Sequence, residues 1–273
     1  MRKELSDCEI EVIKTQVNEK IGSCRKSNDI IGTQVFSILG RFARVIYYPI
    51  GKNAPWGFTR ISGTRNDAGL EKPFVVINTS ILIPCQVFAA AHELYHIWYE
   101  KDPDILPGNI LEEDVQSVSE RKASRFAAEF LVDEAMLRQE IRLYGIKEYS
   151  LKTVLQLANL FTVPYRAMAK RLYETGLIGA SECDRLLAEP DGKIEQYRRR
   201  YAIPADEADR RIAMDNLAEL SVNVYEKGLI RYAKLEYLLA LCNLKPEDLG
   251  IREPDTVTFP SDEELETIME EDE

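Results

Sequence analysis

Val87-Phe88-Ala89-Ala90-Ala91-His92-Glu93-Leu94-Tyr95-His96 is the stretch that decides how the rest of the chain is read. After Pro84 the apolar residues recur with helical spacing, and Gln86 to Glu100 reads as one helix. An α-helix rises about 1.5 Å and turns about 100° per residue. His92 and His96, four apart, therefore leave one face about 6 Å apart along the axis. Glu93 points about 100° away from His92 and is poorly placed to join the two rings. It can instead reach a water molecule held between them.

This is the H-E-x-x-H arrangement, in which two imidazoles bind Zn²⁺ and the glutamate acts as general base. Two rings at that spacing suit two corners of a tetrahedral site with zinc–nitrogen distances of about 2.0–2.1 Å. Zinc supplies Lewis acidity, and Glu93 would take the water's proton and hand it to the leaving amine. The chain has only two histidines, and both are in this motif. A third protein ligand must then be Asp, Glu or Cys. Glu120 is the leading candidate, because Glu120, Ala123 or Ser124, and Ala127 form a small-residue face that lets its helix approach the histidine helix closely. Glu112, Glu113, Asp114 and Glu129 are rivals. Cys85 reads as a small buried residue rather than a ligand.

Outward from the motif, residues from about Glu9 to Phe42 look helical. Three short runs rich in β-formers follow: Val45 to Tyr48, Trp56 to Ile61 and Pro73 to Asn78. Gly63, Asn66, Asp67 and Gly69 mark a turn between the second and third. The apolar third run suggests burial on both faces, although Pro73 at its start is typical of an edge strand. Asp102 to Asn109 reads as a loop. Helices are expected from about Leu111 to Leu131, Asp133 to Tyr144, Leu151 to Phe161, Pro164 to Thr175 and Ser181 to Leu187. A long helical stretch is expected from Ala205 to Leu241, broken near Gly228.

The fold class expected is α+β, a metallopeptidase domain with a small β-sheet followed by a mostly helical C-terminal region. The expected divisions are an N-terminal helical segment 1–41, the metallopeptidase domain 42–148, a helix-turn-helix-like subdomain 149–180, a helical region 181–252 and an acidic, disordered tail 253–273. Eight of the chain's 46 acids, and no Lys or Arg, lie in the last thirteen residues. The body is thus only mildly acidic, and the formal charge of -11 argues against strong non-specific nucleic-acid binding. Five widely spaced cysteines without a C-x-x-C pair argue against a disulfide scaffold. The most apolar stretch, Pro73 to Ala91, is interrupted by Asn78, Thr79, Ser80, Pro84 and Gln86, so no membrane span is read, and Met1 to Glu11, charged on both signs, offers no apolar signal core. The expected location is the cytoplasm.

The motif and its surroundings resemble the ImmA/IrrE family of zinc-dependent endopeptidases over roughly Phe42 to Leu177. The strand Ala43 to Tyr48, the strand Phe74 to Ser80, the H-E-x-x-H helix and the block Glu120-Arg121-Lys122-Ala123-Ser124-Arg125-Phe126-Ala127-Ala128-Glu129-Phe130-Leu131 stand in order. The last block is far more specific than the H-E-x-x-H motif. The resemblance implies a zincin-like fold, Glu120 as third ligand of Zn²⁺ beside His92 and His96, and Glu93 as catalytic residue. It also implies site-specific cleavage of a helix-turn-helix repressor or antitoxin-like regulator, which relieves repression of a mobile element or stress response. Mn²⁺ or Fe²⁺ also suits such N/O ligands. The sequence departs from the family in carrying Tyr95 where Gly is common, Val132-Asp133 where Pro is common, and about ninety further residues. Tyr95 is a candidate cleft or oxyanion-stabilising residue, with packing as the plainer role.

Two other readings compete with hydrolysis. One is a regulatory binding module that docks to a DNA-binding partner without proteolysis; an intact Glu93 speaks against it. The other is direct DNA binding through Leu151 to Leu177, with Arg166, Lys170 and Arg171 on the second helix. A compact way of packing two helices explains that segment more simply. Arg198-Arg199-Arg200 reads as a solvated helix end near Glu195 and Asp206.

Overall fold

The computed structural model describes residues 5–24, 26, 29–60, 72–100, 117–204, 206–214, 216–242 and 244–253. The turn expected at Gly63 to Gly69, the loop at Asp102 to Asn109, the start of the helix at Leu111 and the acidic tail lie outside them. The chain forms two compact units, Met1–Asp215 and Asn216–Glu273.

The first unit is α+β. Helix α1 (Asp7–Ser23) starts at a capping box, in which Ser6 and Glu9 bond each other's backbone N–H groups. Ile13, Val17 and Ile21, each four apart, bury its inner face. Helix α2 (Gln34–Phe42) leads into β1 (Arg44–Tyr48), β2 (Gly57–Arg60) and β3 (Phe74–Asn78). With a fourth strand, β4 (Ala213–Met214), the sheet order is β2-β3-β1-β4, with β1 parallel to β3 and the other two pairings antiparallel. Val45 pairs with Val75 and Tyr47 with Ile77, and these four side chains face the core. β3 is thus an inner strand, and the edge role suggested by Pro73 is corrected. Pro73 precedes the strand, where its missing N–H removes no ladder bond, and its carbonyl accepts from Arg44 N at 2.8 Å. Asn78, wholly buried, ties the sheet to the β1–β2 connection. Its amide donates to the Gly51 and Pro55 carbonyls, and its Oδ1 accepts from Ile50 N and Ser80 N.

Strand β4 (Ala213–Met214) is the largest departure from the sequence expectation, which placed a helix from Ala205. Residues 206–212 run without helical structure across the start of the histidine helix and along β1. Ile83 N donates to Glu207 O, Gln86 Nε2 to Asp209 Oδ1, and Thr79 Oγ1 to Arg211 O. The Arg211 guanidinium lies 3.7 Å from the centre of the Tyr47 ring. These tertiary partners outweigh the helix preference of the Ala and Arg residues in this segment. Arg198, expected in solvent, is buried and donates to Pro204 O and Asp206, which anchors the same segment.

Helix α3 (Ile83–Tyr99) carries the histidines, with Pro84 in its first turn. Helix α4 (Val118–Leu131) is capped by Ser117, whose Oγ accepts from Glu120 N at 3.2 Å. The two helices pack on each other through an aromatic cluster of Tyr95, Trp98, Tyr99, Phe126 and Phe130, and both bury small residues, Ala89, Ala90 and Ala91 on α3 and Ala123 and Ala127 on α4. Helix α1 packs against α4, and Lys122 pairs with Glu9 at 3.0 Å. Helices α5 (Glu134–Leu143), α6 (Leu151–Phe161), α7 (Tyr165–Glu174), α8 (Ala180–Leu187) and α9 (Asp191–Arg200) complete the unit. The second unit contains α10 (Leu217–Glu226) and α11 (Tyr232–Ala240), separated by Gly228 at φ +69°, where the break was expected. Leu235 and Leu239 form its buried centre. Among the described residues no helix is long and apolar enough to cross a membrane. All five cysteines are free thiols.

Candidate metal centre

Helices α3 and α4 pack on each other, and three donors meet where they do. Nε2 of His92 lies 3.0 Å from Glu120 Oε2, and Nε2 of His96 lies 3.5 Å from Glu120 Oε1. One ligand atom from each of His92, His96 and Glu120 falls within a 4.8 Å group. All three residues are buried. A tetrahedral ion with ligands at about 2.0–2.1 Å needs its donors about 3.3 Å apart; each ring lies near that distance from one oxygen of Glu120, His92 from Oε2 and His96 from Oε1. Two imidazoles with one carboxylate are a three-ligand zinc set that leaves a fourth position for water or substrate. Burial by itself raises the Glu120 carboxyl, but the His92 hydrogen bond and the nearby imidazoles bring it below the usual range. The group therefore presents an ionised carboxylate.

Glu93 sits on the sheet side of α3 and is 3% exposed. Thr59 on β2 donates its hydroxyl to Glu93 Oε2 at 2.7 Å. Burial pushes Glu93 up to about 7; His96 and the Thr59 bond pull it down, and Glu120 and Glu100 push it further up. Gly57 leaves this carboxylate its room. A Cβ there would sit 3.2 Å from Val76 O and 3.3 Å from Glu93 Oε1.

The outer nitrogens of both rings also have partners. His92 Nδ1 lies 3.3 Å from Ser124 Oγ, and His96 Nδ1 lies 2.8 Å from Glu100 Oε2. The Ser119 hydroxyl donates to the other oxygen of Glu100. Thr59, Glu100 and Ser119 did not emerge from the sequence, and Ser124 emerged only as a small residue on the face of the Glu120 helix. Glu100 is four residues after His96 and Ser124 four after Glu120, so helical spacing could have flagged both. Thr59 comes from a distant strand and leaves no such signal.

The remaining candidates are placed elsewhere. Tyr95 is buried in the aromatic cluster, 5.6 Å from the Phe126 ring and 5.5 Å from the Tyr99 ring, so its ring packs the α3–α4 contact. Glu129 pairs with Arg125 and Arg171 at the far end of α4. Cys85 is outside the donor group, and burial, aided by Asp206, pushes its thiol up to about 12. Glu112, Glu113 and Asp114 lie outside the described residues.

Residues 44–173 match the family Peptidase M78, the IrrE N-terminal-like domain. This segment of the chain is similar to that peptidase family. The Peptidase M78 segment runs from β1 into α7 and contains α3, α4 and every residue of the centre just described. It agrees with the resemblance seen in the sequence and supports a metallopeptidase-type function. Strand β4 and helices α8 to α11 lie beyond the matched residues. No curated protein and no solved structure gives a significant match to the chain.

Proposed function

We propose that this protein is a zinc-dependent endopeptidase that cuts a DNA-binding repressor of helix-turn-helix type, or an antitoxin-like regulator, and so relieves repression. The observation that carries the hydrolytic part is the convergence of His92, His96 and Glu120 beside a buried Glu93. The choice of substrate rests on the family resemblance.

Among the described residues, the carboxylates of Glu93, Glu100 and Glu120 surround two imidazoles. Buried charges persist when they are paired or coordinate a metal, and a divalent cation balances this set. Bound Zn²⁺ would supply Lewis acidity, polarising the scissile carbonyl and making water a stronger acid. His92 and His96 present Nε2, and Glu120 its carboxylate, to hold the ion. Thr59 fixes Glu93 Oε2, leaving Oε1 to accept a proton from water and deliver it to the leaving amine. A group held near 7 can do both at neutral pH. Mn²⁺ and Fe²⁺ are compatible with the same donors.

The test combines the purified, zinc-loaded chain with a helix-turn-helix protein encoded beside it and reads fragments by mass spectrometry. The expected result is one cut, slowed about 10²–10⁴-fold in Glu93→Gln with zinc content retained. A wild type that forms a stable complex but leaves its partner whole would establish a docking module in place of a peptidase.

A further inference from the structure

We infer that Glu100 is a positioning residue of the metal centre: oriented by Ser119, its carboxylate accepts the Nδ1 proton of His96 and so turns a bare Nε2 towards Glu120. This rests on the metal-binding reading given above.

A neutral imidazole has one N–H, and the hydrogen bond at one nitrogen decides which nitrogen is left as a ligand. The two histidines differ in this respect. His92 Nδ1 faces a hydroxyl, Ser124 Oγ, at 3.3 Å, whereas His96 Nδ1 faces a carboxylate at 2.8 Å. Bonds to an ionised acceptor are shorter and roughly twice as strong. The orientation of His96 is therefore held far more firmly than that of His92. Such carboxylate partners also raise the basicity of the ligand nitrogen.

Glu100 is itself held at three points. Its backbone N–H donates to His96 O at 3.1 Å, and it leaves the helix there at φ -110° and ψ 131°. Its Oε2 meets His96 and its Oε1 accepts from Ser119. An exposed i,i+4 pair contributes little, but here the ring is 3% and the carboxylate side chain 19% exposed. Ser119 precedes Glu120 in the first turn of α4. The bonds from Ser119 to Glu100 to His96 thus join the last turn of α3 to the turn that carries the third donor, and fix the separation of the two helices where the donors converge.

The experiment measures zinc affinity by competition with a chromophoric chelator for wild type, Glu100→Ala, Glu100→Gln and Ser119→Ala. The imidazole tautomers of the apo-protein are read in parallel by ¹⁵N NMR, which the presence of only two histidines makes direct. Wild type should bind one Zn²⁺, with His96 protonated at Nδ1. Glu100→Ala should weaken binding about 10–100-fold and shift the His96 proton towards Nε2. Glu100→Gln keeps the shape and an acceptor oxygen, and should fall between; it also serves if the alanine variant folds poorly. Ser119→Ala should show a smaller loss of affinity. Glutamine and alanine variants that bind zinc within twofold of wild type overturn the inference. So does an affinity loss that leaves the His96 tautomer unchanged, since Glu100 would then act through the fold alone. A wild type that binds no zinc defeats the metal reading itself and is recognised separately.

Discussion

Glu120 and Glu129 lie on one helix, nine residues apart, both buried, and they are held in opposite ways. At the end of α4, Glu129 accepts from Arg125 at 2.6 and 3.0 Å and from Arg171 of α7, whose guanidinium is buried and also bonds Val132 O. There the charge is balanced by the protein's own cations. At the start of α4, Glu120 meets two imidazoles, and the neighbouring carboxylates Glu93 and Glu100 add negative charge. A buried carboxylate with its arginines is a finished structural joint, whereas one among imidazoles and further acids is suited to receive a cation. The Glu129 end clamps α7 to α4, and the Glu120 end presents a group that could hold a metal ion.

The sharpest way to break this contrast is to delete each partner. Arg171→Ala leaves Glu129 partly uncompensated in the interior and should cost about 3–5 kcal/mol, read by urea denaturation, while the folded fraction keeps its zinc stoichiometry. Glu120→Ala should do the reverse, losing stoichiometric zinc by atomic absorption with little change in the stability of the apo-protein. Zinc removal extends the comparison. Free Zn²⁺ at 100 times its dissociation constant stabilises the folded state by about 2.7 kcal/mol, so a chelator should lower the melting temperature of wild type and leave that of Glu120→Ala unmoved. The smallest expected effect is at the cap of α4, at the Glu120 end. Ser117→Ala removes the acceptor for Glu120 N and should destabilise by about 1 kcal/mol, together with a modest loss of zinc affinity because Glu120 sits in that first turn. Equal responses of Arg171→Ala and Glu120→Ala in both assays would show that the two carboxylates do the same job.

The fate of the cationic residues on α7 follows from the same comparison. Arg171, a candidate for reading DNA, is enclosed in the Glu129 joint, with Glu174 a further partner at 3.5 Å. Arg166 donates to Leu187 O and Asp191 Oδ1, tying α7 to the chain beyond it. Helix spacing had grouped these residues on one helix, but it could not tell which of them face inward.

Periodicity and spacing alone located the histidine helix, the three first strands, the α6–α7 pair and the break at Gly228, because those features depend on local geometry: side chains repeat every 3.6 or 2 residues whatever they pack against. Spacing also supplied His92, Glu93 and His96, which share one turn. What only tertiary structure decided is which distant groups meet them. Glu120, already the leading candidate among several acids, is brought to the rings by the packing of α4 on α3. Thr59 reaches Glu93 because β2 lies against β3, and residues 206–214 become an extended edge because Thr79, Gln86 and Tyr47 capture them. Such contacts depend on how elements separated by tens of residues dock. That docking is governed by buried shape and paired charge, neither of which has a period along the chain.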